Sequence, residues 1–260
     1  MNRFEDKVVI ITGAGSGLGQ ATALRVTKEG AKLALVDLNE KGLEETKAKI
    51  LEVAPNAETI LITANVVDDK AVQKYVNKTV ETFGKIDGFF NNAGIEGKQN
   101  LTEDYGVDEF DKVLNVNLKG VFYGLKYVLK VMKEQGYGSI VNTASVGGIR
   151  GVGNQSGYSA SKHGVVGLTR NSAVEYGEFG IIINAIAPGA IMTPMVEASL
   201  RQIDPENPEE AGKAFVSVNP TKRFGKPEEV ANVVAFLLSG EASFVNAAVI
   251  NIDGGQSYKY

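Results

Sequence analysis

Short runs of apolar residues recur along the chain, separated by longer stretches in which apolar positions return every three or four residues. The runs are Val8–Thr12, Lys32–Asp37, Thr59–Asn65, Ile86–Asn91, Ser139–Ser145, Ile181–Ala187 and Ala248–Ile252. Most are near-continuous in Val, Ile, Leu and Phe rather than alternating, as parallel strands covered on both faces require. Between them, Leu18–Glu29, Glu40–Val53, Lys70–Phe83, Glu109–Gln135, Ser156–Tyr176 and Pro227–Leu238 carry helical periodicity. Gly30, Gly84 and Gly177 stand where helices should stop. This alternation predicts repeated βαβ units and an α/β fold: a Rossmann-type doubly wound parallel seven-stranded sheet with helices on both faces.

The alternation lapses between Pro188 and about Val218. This stretch carries Pro188, Pro194, Pro205 and Pro208, two methionines and an acidic cluster around Glu206–Glu210. It follows a strand end, where ligands bind in such sheets. It is expected to be a substrate lid at about 189–218, within a single domain spanning 1–260.

Composition removes several chemistries. The 260 residues are 43% hydrophobic and 22% charged, which describes a globular chain. The formal net charge of −4 argues against a nucleic-acid partner. Cysteine is absent, which excludes disulfides, thiolate metal sites and a cysteine nucleophile. His163 is the only histidine, so no metal site is expected. On a helix it points about 100° away from its neighbour Lys162, as a packing or surface residue would. No apolar run reaches bilayer length, and Met1–Asp6 lacks the apolar stretch of a signal peptide. A cytoplasmic location away from membranes is the expectation.

Two motifs carry chemistry. Thr12-Gly13-Ala14-Gly15-Ser16-Gly17-Leu18-Gly19 follows the first strand and opens the first helix. Glycines there allow a tight turn and a close approach of backbone to a pyrophosphate, with the helix N-terminus behind it. Asp37 ends the second strand 20 residues after Gly17. That spacing suits a carboxylate accepting from adenosine ribose hydroxyls. Asp37 would repel a 2′-phosphate, and Leu38 follows where a basic side chain would serve one, so NAD is expected over NADP. In the second motif, Tyr158 and Lys162 share a helix face at i and i+4, and Ser145 ends the fifth strand 13 residues earlier. A nearby ammonium and a cationic nicotinamide would both favour phenolate, making Tyr158 a proton donor and acceptor at a carbonyl oxygen.

These motifs, with Asn91-Asn92-Ala93-Gly94, Asn117 before Leu118-Lys119-Gly120, Pro188-Gly189 and Asp253-Gly254-Gly255, resemble the short-chain dehydrogenase/reductase family over about residues 5–255. The resemblance implies an NAD-dependent secondary alcohol dehydrogenase/carbonyl reductase. Tyr158 is then the acid/base, Ser145 holds the substrate oxygen, Lys162 binds the nicotinamide ribose, and Asn117 supports a water leading from Lys162 to solvent. Gly13, Ser16, Gly17, Leu18, Gly19, Asp37, Leu38, Asn92, Ala93, Gly94, Pro188, Gly189, Ile191 and Thr193 would line the cofactor. Asn65 departs from the family's usual Asp beside the adenine; its side-chain carbonyl, helped by the Val66 backbone, would take that role.

Stretches 89–100, 145–151 and 153–158 further resemble family members acting on cyclic ketones and diketones. Val146, Gln155, Glu96 and Met195, with Ser145, are the expected substrate-binding residues. A homotetramer is implied, with the tail Gln256–Tyr260 reaching a neighbouring site. A 3-oxoacyl-carrier-protein reductase and a catalytically silent NAD-binding sensor are the competing readings. Asp37 argues against the first, and the intact Ser145, Tyr158, Lys162 and Asn117 against the second.

Overall fold

A computed structural model describes residues 2–258. Seven strands form one sheet: β1 (Val8–Thr12), β2 (Lys32–Asp37), β3 (Thr59–Thr63), β4 (Gly88–Asn91), β5 (Gly138–Thr143), β6 (Ile181–Pro188) and β7 (Val249–Ile252). Their spatial order is β3-β2-β1-β4-β5-β6-β7, and every pairing is parallel. The chain winds outward from β1 in one direction and from β4 in the other. The carboxyl ends of β1 and β4 therefore flank the switch point where such sheets bind ligands.

Successive strand residues point to opposite faces, and both faces are apolar. Ile10, Ala34, Val36 and Phe89 pack on α3 (Asp69–Phe83), α5 (Gly120–Gln135) and α6 (Ser156–Tyr176). Val9, Ile11, Leu33, Leu35 and Phe90 pack on α1 (Gly17–Thr27), α2 (Glu40–Val53) and α9 (Pro227–Leu238). Two buried layers against one sheet explain why the strands read as continuous rather than alternating.

The structure departs from the sequence pattern in three places. The run 109–135 is divided: α4 (Val107–Leu114) passes through a π-turn at Asn115–Lys119 into α5. Such turns add a residue to the helical ladder and occur mostly at functional sites. Here the turn carries Asn117. Second, α6 does end at Tyr176, but Gly177 only begins a 3₁₀ turn; the left-handed residue is Gly180, with φ 73°. Third, residues 189–218 hold two helices, α7 (Pro194–Ile203) and α8 (Pro208–Ser217). Pro194 and Pro208 occupy first-turn positions, where a missing N–H costs nothing, and Glu209 and Glu210 sit at the positive end of α8. The prolines and acids mark helix starts.

Among the described residues no helix is long and apolar enough to cross a membrane.

Candidate active site

A cleft of about 820 Å³ runs along the carboxyl edge of the sheet. One end is built from backbone. Gly13 has φ 66° and Gly17 φ 52°, a conformation open to glycine at no steric cost. Gly17 lines the cleft, so a Cβ there would stand in it, 3.5 Å from the Thr193 methyl. A Cβ on Gly19 would run into the Gly13 carbonyl. Ser16 precedes α1 in extended backbone and makes no side-chain cap, leaving the first N–H groups of α1 to accept an anion.

Asp37 lines the same end. Its Oδ2 accepts from Gly15 N at 2.8 Å and its Oδ1 from Asn39 N at 2.9 Å. Each oxygen keeps a lone pair for a hydroxyl. Leu38 is 68% exposed beside it, and Leu18 and Val66 are also on the wall. Asn65 lines the cleft too, with its Oδ1 accepting from Val67 N at 3.2 Å, so one lone pair remains.

Asn92, Ala93 and Gly94 bring the β4 loop across to β1. Thr12 Oγ1 accepts from Asn92 N at 2.9 Å and from Ala93 N at 3.1 Å. Asn92 Nδ2 donates to the Thr12 carbonyl at 3.0 Å, and its Oδ1 accepts from Thr143 Oγ1 at 3.2 Å. Thr12 and Thr143 thus hold the turn in place. No local spacing signals this arrangement, because these bonds join segments 51 to 81 residues apart.

At the other end Ser145, Tyr158 and Lys162 line one stretch of the cleft. Ser145 follows β5 and its Oγ accepts from Gly147 N at 3.1 Å, which starts the 3₁₀ turn Val146–Gly148. Ser159 Oγ donates to Gly147 O at 3.0 Å and fixes α6 to that turn. Lys162 Nζ is buried, donates to the Thr143 carbonyl at 2.8 Å, and lies 5.6 Å from the Tyr158 ring centroid. Burial pushes the Tyr158 phenol up to about 12, against the pull of the Ser145 hydroxyl. Burial brings the Lys162 ammonium down to about 8. Desolvation is the largest cause at both groups.

Asn117 is buried and spends its amide on the β4 loop. Its Oδ1 accepts from Ile95 N and its Nδ2 donates to Ile95 O, both at 2.8 Å. A second bond from Nδ2 reaches Ser161 Oγ at 3.1 Å, three residues after Tyr158. Opposite, Pro188, Gly189, Ile191 and Thr193 complete the wall with Met195. A Cβ on Gly189 would come within 2.7 Å of the Asp253 Cβ, so the chain turns there only because no side chain intervenes.

Of the expected substrate residues, Ser145 and Met195 line the cleft; Glu96, Val146 and Gln155 do not. Glu96 instead hydrogen-bonds to Gln155, Gln99 and Ser199. Asp108, Asp111 and Lys112 of α4 do line the cleft, although no motif marks them. His163 is exposed, with its Nδ1 2.9 Å from Ser159 O, outside the cleft as expected. Lys259 and Tyr260 of the expected tail contact lie outside the described residues. Among the described residues no cluster of metal-ligating side chains occurs.

A dinucleotide fits this arrangement: a glycine turn at a helix N-terminus for phosphates, a carboxylate 20 residues on for a ribose, and a buried ammonium at the far end. The family model described as Enoyl-(Acyl carrier protein) reductase matches residues 13–257. Levodione reductase of Leifsonia aquatica is 66% identical over 258 residues, 99% of this chain and 97% of that protein. A crystal structure of levodione reductase superposes with a TM-score of 0.98, covering 99% of this chain and 100% of that one. Cyclohexanol dehydrogenase of Acinetobacter sp. strain SE19 is 41% identical over 99% of this chain and 98% of its own. The crystal structure of an NAD+-bound xylitol dehydrogenase is 36% identical with a TM-score of 0.91, covering 97% and 99%. The chain belongs to the short-chain dehydrogenase/reductase family and is an enzyme of that family.

Proposed function

We propose that the enzyme uses NAD(H) to interconvert a secondary alcohol and a ketone, and that its substrate is a cyclic ketone or diketone. The observation that carries the reaction is the convergence of Ser145, Tyr158 and Lys162 on one cleft whose other end holds the glycine turn and Asp37. The names of two relatives, levodione reductase and cyclohexanol dehydrogenase, support a cyclic substrate. The NAD+-bound xylitol dehydrogenase supports the cofactor.

NAD(H), when bound, supplies the hydride acceptor or donor and, oxidised, a positive charge beside the phenol. Gly17–Gly19 backbone N–H groups and Asp37 hold it at one end, and Lys162 reaches its ribose at the other. Ser145 Oγ donates to the substrate oxygen and fixes its place beside Tyr158 Oη. In reduction the phenol gives its proton to that oxygen; in oxidation the phenolate takes it back. Burial favours the protonated form of the phenol. Asn117 holds the β4 loop against α6 through Ile95 and Ser161.

The helices α7 and α8 form a lid, within a single domain, whose cap Thr193 and first residues Pro194 to Val196 line the cleft. A homotetramer is the assembly implied by the family. Val107, Phe122 and Val174, exposed on α4, α5 and α6, suit burial between subunits.

The test is NADH consumption with levodione, cyclohexanone, open-chain ketones and an acetoacetyl thioester, repeated with NADPH. Fast NADH-specific turnover of a cyclic ketone or diketone is expected. Preference for the thioester with NADPH would replace this reading by that of a 3-oxoacyl-thioester reductase. Tight NADH binding with no turnover of any carbonyl would favour the sensor.

A further inference from the structure

Among the described residues, Glu96 is a carboxylate in no ion pair. Its Oε1 accepts from the hydroxyl of Ser199 at 2.9 Å, from Gln99 Nε2 at 3.3 Å and from Gln155 Nε2. Gln99 Nε2 also donates to Ser199 Oγ at 2.8 Å. The three donors come from three segments: the loop after β4, the residue preceding α6, and α7. Ser199 is buried. The loop and the start of α6 are joined again by Asn100 N donating to Asn154 O at 3.0 Å. Burial pushes the Glu96 carboxyl up, and the bonds from Ser199, Gln155 and Gln99 pull it back toward the anion.

Both ends of this knot lead to the site. Glu96 follows Ile95, whose N–H and C=O are held by Asn117. Gln155 lies three residues before Tyr158, about one helical turn. Ser199 stands four residues after Met195, which lines the cleft. Glu96 itself does not line it.

We infer that Glu96 is a positioning residue that latches α7 over the substrate end of the cleft and seats the start of α6 at the same time. Its carboxylate meets protein donors and acts on substrate through the position of α7, while its charge adds to the upward push on the Tyr158 phenol. Burying the charge costs free energy that the three neutral donors reduce in part, and one carboxylate oxygen ties three segments together. The latch stands on the hydrogen bonds alone; only its kinetic readout rests on the proposed ketone reduction.

The experiment uses the full-length enzyme and the variants Ser199→Ala, Ser199→Thr, Glu96→Ala and the Ser199→Ala/Glu96→Ala pair. Backbone amide exchange across 194–203 is measured without substrate, and NADH affinity and levodione kinetics are measured beside it. Ser199→Ala is expected to speed exchange in α7 about fivefold and raise the levodione KM about tenfold, with kcat and NADH affinity within about twofold. Ser199→Thr, which keeps the hydroxyl, restores both. The pair is no worse than Glu96→Ala alone, because each change breaks the same latch. Unchanged α7 exchange in Ser199→Ala, or additive effects in the pair, would overturn the inference. If levodione is not turned over, the exchange arm still decides for or against the latch, and only the substrate reading fails.

Discussion

At the β1–β3 end of the cleft, the groups that face a ligand are N–H groups of a glycine turn, the wall residue Leu38 and the Asp37 carboxylate. At the β4–β7 end they are side chains: Ser145 after β5, Tyr158 and Lys162 on α6, Thr193 and Met195 at the start of α7. The first end is local, since Asp37 bonds to Gly15 only 22 residues away. The second is assembled from distant segments, with Ser145 after β5, Tyr158 on α6 and Thr193 before α7. A backbone-built pocket recognises what all dinucleotides share. A pocket built from side chains is where one ketone can be told from another, because a few contacts there alter transition-state binding.

If the two ends divide the work this way, a change at one should leave the other's property standing. The largest effect belongs to Tyr158→Phe. Steady-state kinetics should show kcat lowered by about 10²–10⁴-fold, the range of a lost acid/base, while fluorescence titration finds NADH affinity within about threefold. A parallel collapse of NADH binding would break the division. At the opposite end, Asp37→Ala removes the ribose carboxylate. NADH affinity should fall about 10–100-fold, as for lost hydrogen bonds to a charged group, and the preference for NADH over NADPH should narrow. Residual activity of the bound complex should keep its ketone KM.

Lys162 lies at the catalytic end, and the cost of burying it appears in stability. Its folded value of about 8 lies below the ordinary 10.5. Between those values the unfolded chain holds the proton and the folded chain does not, so stability rises with pH through that window, and the burial penalty is complete below about 8. Lys162→Met should therefore be more stable than the parent at pH 7. A penalty of about 3 kcal/mol is removed, and about 1 kcal/mol is lost with the bond to Thr143 O, leaving about 2 kcal/mol. Thermal melts across pH 7–10 should show this gain shrinking toward high pH, while turnover is lost at every pH. The smallest effect is Asn65→Asp. It restores the charged acceptor usual in the family at an exposed position, and NADH titration should show binding tighter by about threefold at most.

The same contrast explains what could be read before folding. The glycine turn, Asp37 and the Tyr158–Lys162 pair were legible because each depends on short spacing along one strand–helix unit. The sheet was legible because both its faces are apolar, as Ile10 and Ile11 show by entering opposite layers. The π-turn at Asn115–Lys119 was hidden inside an uninterrupted helical pattern, since one added residue in a ladder leaves the periodicity nearly intact. Residues 189–218 were expected as a lid, and its two helices were not legible because Pro194 and Pro208 mark helix starts as readily as loops. Glu96 carried no signal for its partners, because Gln155 and Ser199 are remote in sequence and uncharged.

The central claim is hydride transfer between NADH and a ketone at the Ser145–Tyr158 end. It is tested most directly with NADH deuterated at nicotinamide C4 on the transferred face, levodione as acceptor, and mass spectrometry of the product. The account predicts an alcohol carrying one deuterium on the carbinol carbon, formed with labelled NADH and not formed at a comparable rate with labelled NADPH or by Tyr158→Phe. An alcohol without the label, or equal labelling from NADPH, would contradict it.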